Sequence, residues 1–169
     1  MSFKEIKPEE LNFNPFTRIG SDWMLLTAGT EDKFNTMTAS WGGAGVFWGK
    51  PAVTCYIRPQ RYTKEFIDKS DKLSLSFFDD SWRKMLNYMG TVSGRDEDKI
   101  AASGLHVEMV NSAPVFKESR MALICRKLYE QPMTEESFVD KELAAQHYAQ
   151  KDFHTMYVVE IEKILVQNQ

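Results

Sequence analysis

The sequence predicts a mainly β domain with a few helices, built either as a barrel or as a sandwich. Short apolar, β-branched and aromatic runs recur along the chain, and Gly, Pro or charged residues separate them. One run, 72–78, alternates apolar residues with serines, which is the period of a strand with one buried face. The length of 169 residues suits one domain with its own core, at about 150 residues per domain.

The predicted strands follow one another from the N-terminal to the C-terminal part of the chain. Their ranges are 23–30, 34–40, 52–57, 72–78, 106–110, 121–129 and 157–166. Residues 1–20 are expected to form an irregular lead-in, because Pro8 and Pro15 interrupt them. The glycine-rich run 41–45 is predicted to break the second strand, since glycines permit a bulge. We find no repeat or linker, so residues 1–169 are treated as a single domain.

Helices are predicted at 64–70, at 81–90, over one or two turns within 96–102, and within 134–149. Ser81 is the expected N-cap of the second helix and Gly90 its end. Its apolar residues share one face at helical spacing: Trp82, Met85, Leu86 and Met89. The last helix has acidic residues in its first turn, which suits the helix dipole.

Charge and composition exclude several classes of protein. Lys and Arg number 21 against 24 Asp and Glu, and this net charge of −3 argues against a general nucleic-acid binder. No apolar run approaches the ~20 residues of a membrane span, and residues 1–10 lack the apolar region of a secretory signal. Cys55 and Cys125 form no CxxC motif and are expected to be buried free thiols of a reducing compartment. We therefore expect a cytoplasmic protein.

The common catalytic and metal-binding motifs do not occur in the sequence. His106, His147 and His154 have no metal-ligand spacing, so no metal site is predicted. The chain also lacks the GxSxG elbow, the Rossmann GxGxxG and the P-loop. No confident catalytic side chain emerges from the sequence.

Segment 58–63 (Arg-Pro-Gln-Arg-Tyr-Thr) joins a predicted strand to a predicted helix. Thr63 can cap that helix, and the neighbouring N–H groups with two guanidinium groups make an anion site suited to a phosphate. The alternative is an ordinary cap beside two surface arginines. The loop 93–99 could add a second cation, and its alternative is a flexible exposed loop.

Segment 35–43 (Asn-Thr-Met-Thr-Ala-Ser-Trp-Gly-Gly) places small and hydroxyl residues along a strand before the glycines. Such a strip lets backbone N–H and C=O groups reach the edge of a flat polar ring. The alternative is a strand with a glycine bulge.

Together, segments 35–41, 58–63 and 93–99 resemble the flavin reductase-like family of FMN-binding split barrels, which includes the flavoredoxin group. Their order and spacing agree with that family over most of residues 20–165. The resemblance implies a six-stranded Greek-key split β-barrel, a homodimer, and FMN bound near the subunit interface.

The resemblance also implies which residues contact the cofactor. Those along the isoalloxazine ring are Met37, Thr38, Ala39, Ser40 and Trp41, with Ser40 near the reactive edge. Those at the phosphate end are Arg58, Arg61, Tyr62 and Thr63, with Ser93 and Lys99 closing over it. His154 matches a histidine that often lies near a stacked nicotinamide, and its alternative is a partly exposed residue at the start of a strand. Val159 stands where the family commonly has glycine.

Three functions follow from these observations. The first is an NAD(P)H-dependent flavin reductase, in which hydride passes from NADH or NADPH to FMN and the flavin carries the chemistry. The second is a flavoredoxin-like FMN electron carrier that takes electrons from a redox partner protein and has no nicotinamide site. The third is a β-barrel interaction domain without flavin.

Overall fold

Strands and short α-helices alternate along residues 2–168, which the computed structural model of the chain describes. The strands are β1 (Phe3–Ile6), β2 (Met24–Gly29), β3 (Phe34–Ala39), β4 (Gly42–Phe47), β5 (Lys50–Ile57), β6 (Lys72–Phe77), β7 (Val107–Val110), β8 (Ala113–Phe116), β9 (Met121–Pro132) and β10 (Thr155–Gln167). The helices are α1 (Pro15–Arg18), α2 (Tyr62–Lys69), α3 (Arg83–Thr91), α4 (Lys99–Ser103) and α5 (Lys141–His147). The predicted mainly β class is confirmed.

One antiparallel sheet of eight strands contains most of the structure. Seven strands follow in the order β3-β2-β6-β9-β10-β5-β4, and β7 pairs with β8 as a separate ribbon. Strand β10 is long enough to hold two partners on one edge, because Thr155–Glu160 pairs with β5 and Ile164–Gln167 pairs with β1. The sheet has eight strands where the resemblance implied six, and its closure into a Greek-key barrel stays a prediction.

A row of apolar side chains crosses the centre of this sheet. Leu26 of β2 lies opposite Leu75 of β6, which lies opposite Leu123 of β9, which lies opposite Ile164 of β10. All four are buried in one core cluster. Apolar burial of this kind stabilises by about 25 cal/mol per Å², so the row fixes the register of four strands.

Strand β6 differs from its prediction, because both of its faces are buried. The ribbon of β7 and β8 covers the serine face, and Ser74 Oγ donates a hydrogen bond to the Pro114 carbonyl of β8. Ser76 Oγ, on the same face, is buried without a hydrogen-bond partner among the described residues. Serine in an alternating run therefore does not mark a solvent face here.

Replacing Ser76 with alanine is expected to raise the free energy of unfolding by about 1 kcal/mol, because it removes a desolvated hydroxyl that gains no hydrogen bond. Ser74→Ala is the matched control, and it should lose roughly 0.5–1.5 kcal/mol with its hydrogen bond. Urea denaturation of both variants measures the difference. Equal losses in the two would show that the Ser76 hydroxyl is satisfied in solution.

Several other predicted boundaries are wrong. The N-terminal lead-in is partly ordered, since it contains β1 and α1. The second strand does end before the glycine run, as predicted, but residues 42–47 then form a further strand, β4, that was not predicted. A Cβ on Gly42 would lie only 2.7 Å from the Thr54 carbonyl oxygen. Ser81 lies inside a 3-10 turn capped by Asp79, so α3 begins later than predicted. Strand β8, which contains Pro114, was not predicted at all.

The C-terminal end of α3 is held against β3. Thr38 Oγ1 donates a 2.5 Å hydrogen bond to the Leu86 carbonyl, and a Cβ on Gly90 would lie 3.1 Å from that of Thr38. Thr155 at the start of β10 pairs with Ile57 at the end of β5, immediately before Arg58. The ends of β3, β5 and α3 are thereby brought together with the start of β10.

Of the helices within residues 2–168, none combines the length and the hydrophobicity that a membrane span needs.

Candidate functional site

Two adjoining cavities lie where β3, β5 and α3 end, and Met37, Arg58 and Arg61 line both. The first, here called the strand cavity, has a volume of about 240 Å³. It is lined by Met37, Thr38, Ala39, Ser40, Trp41, Tyr56, Arg58, Arg61 and His154. The second, here called the basic cavity, has a volume of about 270 Å³. It is lined by Asn35, Met37, Arg58, Gln60, Arg61, Tyr62, Thr63, Thr91, Val92, Ser93, Gly94 and Lys99.

All twelve side chains that the resemblance implied for the site line one of these cavities or both. The five from Met37 to Trp41 and His154 surround the strand cavity. The remaining six surround the basic cavity. The residues implied for the ring end and those implied for the phosphate end therefore lie around two neighbouring spaces. Their contacts with a cofactor stay a prediction.

Two of the cations that line the basic cavity, Lys99 and Arg61, are not neutralised by a carboxylate of the described residues. Lys99 is 3% exposed, and its Nζ donates hydrogen bonds of 2.8 and 2.9 Å to the Met89 and Val92 carbonyls. Arg61 donates a 2.6 Å hydrogen bond to the Gly90 carbonyl. Within residues 2–168, neither cation has an Asp or Glu at ion-pair distance. Their hydrogen bonds among the described residues go to carbonyl groups at the end of α3, which carry partial negative charge.

Burial and mutual repulsion both act on these cations. Burial, with the nearby Arg61 charge, lowers the pKa of Lys99 to about 8. Burial and the Arg58 charge lower the pKa of Arg61 below its ordinary value. Charged groups held this way are stabilised when an anion enters between them. The chemistry of the basic cavity therefore favours an anionic ligand.

The N-terminus of α2 also faces the basic cavity, but its first residue and its N-cap differ from the prediction. The helix begins at Tyr62, and Arg61 is its N-cap residue without a side-chain cap hydrogen bond. Thr63 is therefore not the cap, and its buried hydroxyl instead accepts a 2.8 Å hydrogen bond from Asn35 Nδ2. The Lys64 N–H donates to the Arg61 carbonyl, and the N–H groups before it lie where a helix offers no backbone acceptor, which adds to the attraction for an anion.

Gly94 allows the loop after α3 to approach β3 and α2 closely. A Cβ at this position would lie 2.3 Å from Asn35 Oδ1 and 3.2 Å from Tyr62 Cδ1. Because Asn35 is buried and bound to Thr63, it has little room to move. Any larger residue would push the loop carrying Ser93 away from the basic cavity.

A larger groove of about 780 Å³ continues beyond the basic cavity past Lys99. It is open, and its walls include four carboxylates: Asp32, Asp96, Glu97 and Asp98. Four cations, Lys33, Arg95, Lys99 and Lys117, line the same walls, so the charges offset one another and the groove as a whole does not favour an anion. We therefore place the candidate site in the two smaller cavities despite the greater size of the groove.

Aromatic rings form one wall of the strand cavity. The Trp41 ring lies 5.0 Å from the His154 ring and 5.4 Å from the His147 ring, measured between centroids. His154 is 8% exposed, so the alternative of a partly exposed strand-start histidine is wrong. Its Nδ1 lies 2.7 Å from the Tyr148 hydroxyl. Burial, with the Arg58 charge, lowers the pKa of His154 to about 4, so this ring is neutral at neutral pH.

Sequence reasoning missed several residues around the site. Tyr56 lies near the end of β5, two residues before Arg58. Because side chains alternate along a strand, this spacing could have indicated that both side chains line the strand cavity. Asp152 and Tyr148 have no local signal, because the pairing of β10 with β5 brings them to Arg58. No group of three or more His, Cys, Asp or Glu in the described part of the chain could hold a metal ion.

The model of the flavin reductase-like domain matches residues 16–169. This chain belongs to the flavin reductase-like family. The match covers both cavities and every strand of the main sheet except β1. No curated protein matches the chain.

Solved structures share the flavin reductase-like fold at low sequence identity. Flavoredoxin from Methanosarcina acetivorans is 24% identical, with a TM-score of 0.69, over 88% of this chain and 69% of that one. An FMN-binding protein from Thermus thermophilus, solved with 1-cyclohex-2-enone, is 19% identical, with a TM-score of 0.66, over 97% and 79%. An NADH:FAD oxidoreductase from Streptomyces globisporus, solved with NAD and FAD fragments, is 14% identical, with a TM-score of 0.65, over 86% and 74%.

Proposed function

We propose that this flavin reductase-like chain binds FMN and acts as an NAD(P)H-dependent flavin oxidoreductase. The observation that carries the proposal is the pair of unneutralised cations, Arg61 and Lys99, beside an uncapped helix end and next to a strand-lined cavity. A phosphate group joined to a flat ring matches that pair of spaces in charge and in order.

The phosphate of FMN would be held in the basic cavity. Arg61 and Lys99 supply positive charge there, and Tyr62 and Thr63 supply the first-turn N–H groups of α2. Ser93 lines the same space from the loop after α3. Charge-assisted hydrogen bonds of this type contribute about 1.5–3 kcal/mol each.

The ring of FMN would be held in the strand cavity. Met37 and Ala39 are buried and exclude water, while Thr38, Ser40 and Trp41 present polar backbone and side-chain atoms along the end of β3. Bound FMN would supply the hydride-accepting chemistry, so the chain needs no nucleophile or acid of its own. His154 stays neutral beside this space and adds no charge that would oppose or attract the donor.

Aromatic contacts of His154 favour a second candidate function, the flavoredoxin-like electron carrier. The Trp41 and His154 rings contact each other, and the Tyr148 hydroxyl is within hydrogen-bond distance of His154. These contacts occupy part of the wall against which a nicotinamide would stack. In this alternative a redox partner protein delivers the electrons.

Anaerobic mixing of the purified protein with FMN and with NADH or NADPH separates the candidates. Loss of the visible flavin absorbance within about a few seconds supports the reductase. FMN retained through gel filtration but not reduced by either nucleotide supports the carrier. Absence of any flavin binding in a fluorescence titration would overturn both.

We also propose that the chain forms a homodimer in the cytoplasm. The end of the edge strand β4, the turn after it and strand β9 together expose a patch of apolar and aromatic side chains: Val46, Phe47, Trp48 and Tyr129. Trp48 is 65% exposed, and its ring contacts those of Phe47 and Tyr129. Clustered apolar surface of this kind usually marks an interface. The two buried free cysteines suit a reducing compartment.

A further inference from the structure

Arg58 lines both cavities, yet its hydrogen bonds lead away from the basic one. One guanidinium nitrogen donates a 2.5 Å hydrogen bond to Asp152 Oδ2, and the other donates a 3.0 Å hydrogen bond to the His147 carbonyl. The guanidinium carbon lies 5.0 Å from the centre of the Tyr148 ring. All three partners lie within residues 147–152, from the last residue of α5 to the segment before β10. Both hydrogen bonds of the Arg58 guanidinium are therefore made to this part of the chain.

Asp152 is held from two sides. Gln60 Nε2 donates a 2.8 Å hydrogen bond to the carboxylate oxygen that also accepts from Arg58. The side chains of Arg58 and Asp152 are 26% and 19% exposed, so the ion pair is partly shielded from water. These hydrogen bonds lower the pKa of Asp152, which therefore stays charged at neutral pH. A partly buried, multiply bonded ion pair fixes geometry better than an exposed one does.

The segment fixed by Asp152 carries part of the aromatic wall of the strand cavity. Tyr148 stacks on Phe153, with ring centres 4.8 Å apart, and its hydroxyl is within hydrogen-bond distance of His154. His154 in turn contacts Trp41. A continuous set of contacts thus leads from Arg58 to the wall of the strand cavity.

We infer that Arg58 and Asp152 are a positioning pair for the strand cavity, and that Arg58 serves the ring end of FMN and not its phosphate. This inference rests on the proposed binding of FMN. It assigns different roles to the two arginines of segment 58–63. Arg61 donates to the Gly90 carbonyl and has no carboxylate partner among the described residues, so it remains available to a phosphate, whereas Arg58 is bound to a carboxylate. Asp152 becomes a functional residue that no motif indicated.

The test compares FMN with riboflavin, which has the same ring and no phosphate. Asp152→Asn and Arg58→Gln are each expected to weaken both ligands by the same factor, five-fold or more, so the ratio of the two dissociation constants stays within two-fold of the unaltered chain. The double variant should be no more than two-fold worse than the worse single variant, because the two residues act as one unit. Asp152→Glu, which keeps the charge, should recover most of the loss.

Amide hydrogen exchange of the FMN-free protein gives a local readout that a general loss of stability would not reproduce. Asp152→Asn should speed exchange in residues 147–154 about ten-fold or more, with strands β2, β6 and β9 unchanged. Glu135→Gln is the matched control, because it breaks the exposed ion pair with Lys151 in the same part of the chain. It should change neither the exchange nor the flavin affinities.

Two results would overturn the inference while the proposed function stands. One is that Arg58→Gln weakens FMN but not riboflavin, which would return Arg58 to the phosphate. The other is that Asp152→Asn changes neither ligand affinity nor local exchange. If the unaltered chain binds neither flavin, the proposed function itself fails, and the inference fails with it.

Discussion

Arg61→Ala is expected to weaken FMN binding about 10- to 150-fold, or roughly 1.5–3 kcal/mol. Arg61 is partly buried in the basic cavity and has no carboxylate partner among the described residues, so a phosphate would be its only full counter-charge. The guanidinium would also be desolvated before the ligand arrives, which strengthens each charged hydrogen bond that it makes. Fluorescence titration of FMN measures the loss.

Three controls make the Arg61 prediction specific. Riboflavin should bind the Arg61→Ala variant within about two-fold of its affinity for the unaltered chain, because the missing contact belongs to the phosphate. Arg120→Ala removes an exposed arginine that lines neither cavity, and it should leave both affinities unchanged. Because Arg61 also binds the Gly90 carbonyl, the melting temperature of each variant must be measured as well. A well-folded Arg61→Ala protein with unchanged FMN affinity would remove this residue from the site.

The second large effect is on pH dependence, and it arises from Lys99. The pKa of this buried amine is lowered from 10.5 to about 8, first by burial and then by Arg61. A phosphate is doubly charged above its second pKa of about 6, so it does not titrate in this range. FMN binds the protonated amine better, and its dissociation constant should therefore rise above pH 8, by at most about tenfold per pH unit.

The stability of the FMN-free protein should change in the opposite direction. The unfolded chain keeps the Lys99 proton up to pH 10.5, whereas the folded chain loses it near pH 8. The unfolded state thus binds more protons between these values, and the contribution of Lys99 to the free energy of unfolding rises with pH over that window. Below pH 8 both states are protonated, and this contribution is constant.

Lys99→Met is the matched control for both pH curves, since it keeps most of the length of the side chain and removes the titrating group. Its FMN affinity should be weak and flat between pH 7 and about 9.5, and riboflavin should give flat curves with either protein. Subtracting the unfolding curve of the variant from that of the unaltered chain isolates the Lys99 contribution from those of tyrosines. An FMN dissociation constant that rises equally in both proteins would show that another group titrates.

Most strands and the site motifs could be predicted from the sequence because their signals are local. Alternation and β-branched runs identified most of the main sheet, and three short segments contain eleven of the twelve predicted site residues. Strand β4 was not predicted because its glycines give no apolar pattern. The lack of a side chain is nevertheless what lets Gly42 approach Thr54. The burial of the serine face of β6 was not predicted, because the ribbon that covers this face lies about forty residues away in the chain.

The part of the site that could not be predicted depends on register between distant segments. Asp152 reaches Arg58 only because Thr155 pairs with Ile57, and nothing within several residues of Asp152 indicates that partner. The N-cap of α2 moves from the predicted Thr63 to Arg61 for a similar reason, since Asn35 of β3 donates its hydrogen bond to the Thr63 hydroxyl. The residue types of Arg58 and Thr63 indicated a site, but their hydrogen bonds to distant segments determine what each side chain does there.

Carbonyl groups at the end of α3 accept hydrogen bonds from Lys99 and Arg61. Because these two cations are close together, the melting temperature of the protein should report whether a ligand occupies the basic cavity. An anion that binds between the two cations stabilises the folded state and not the unfolded state. The melting temperature therefore rises with the concentration of that anion. A dye-based melting screen of phosphorylated and unphosphorylated heterocycles would therefore rank ligands for this chain before any electron donor is known.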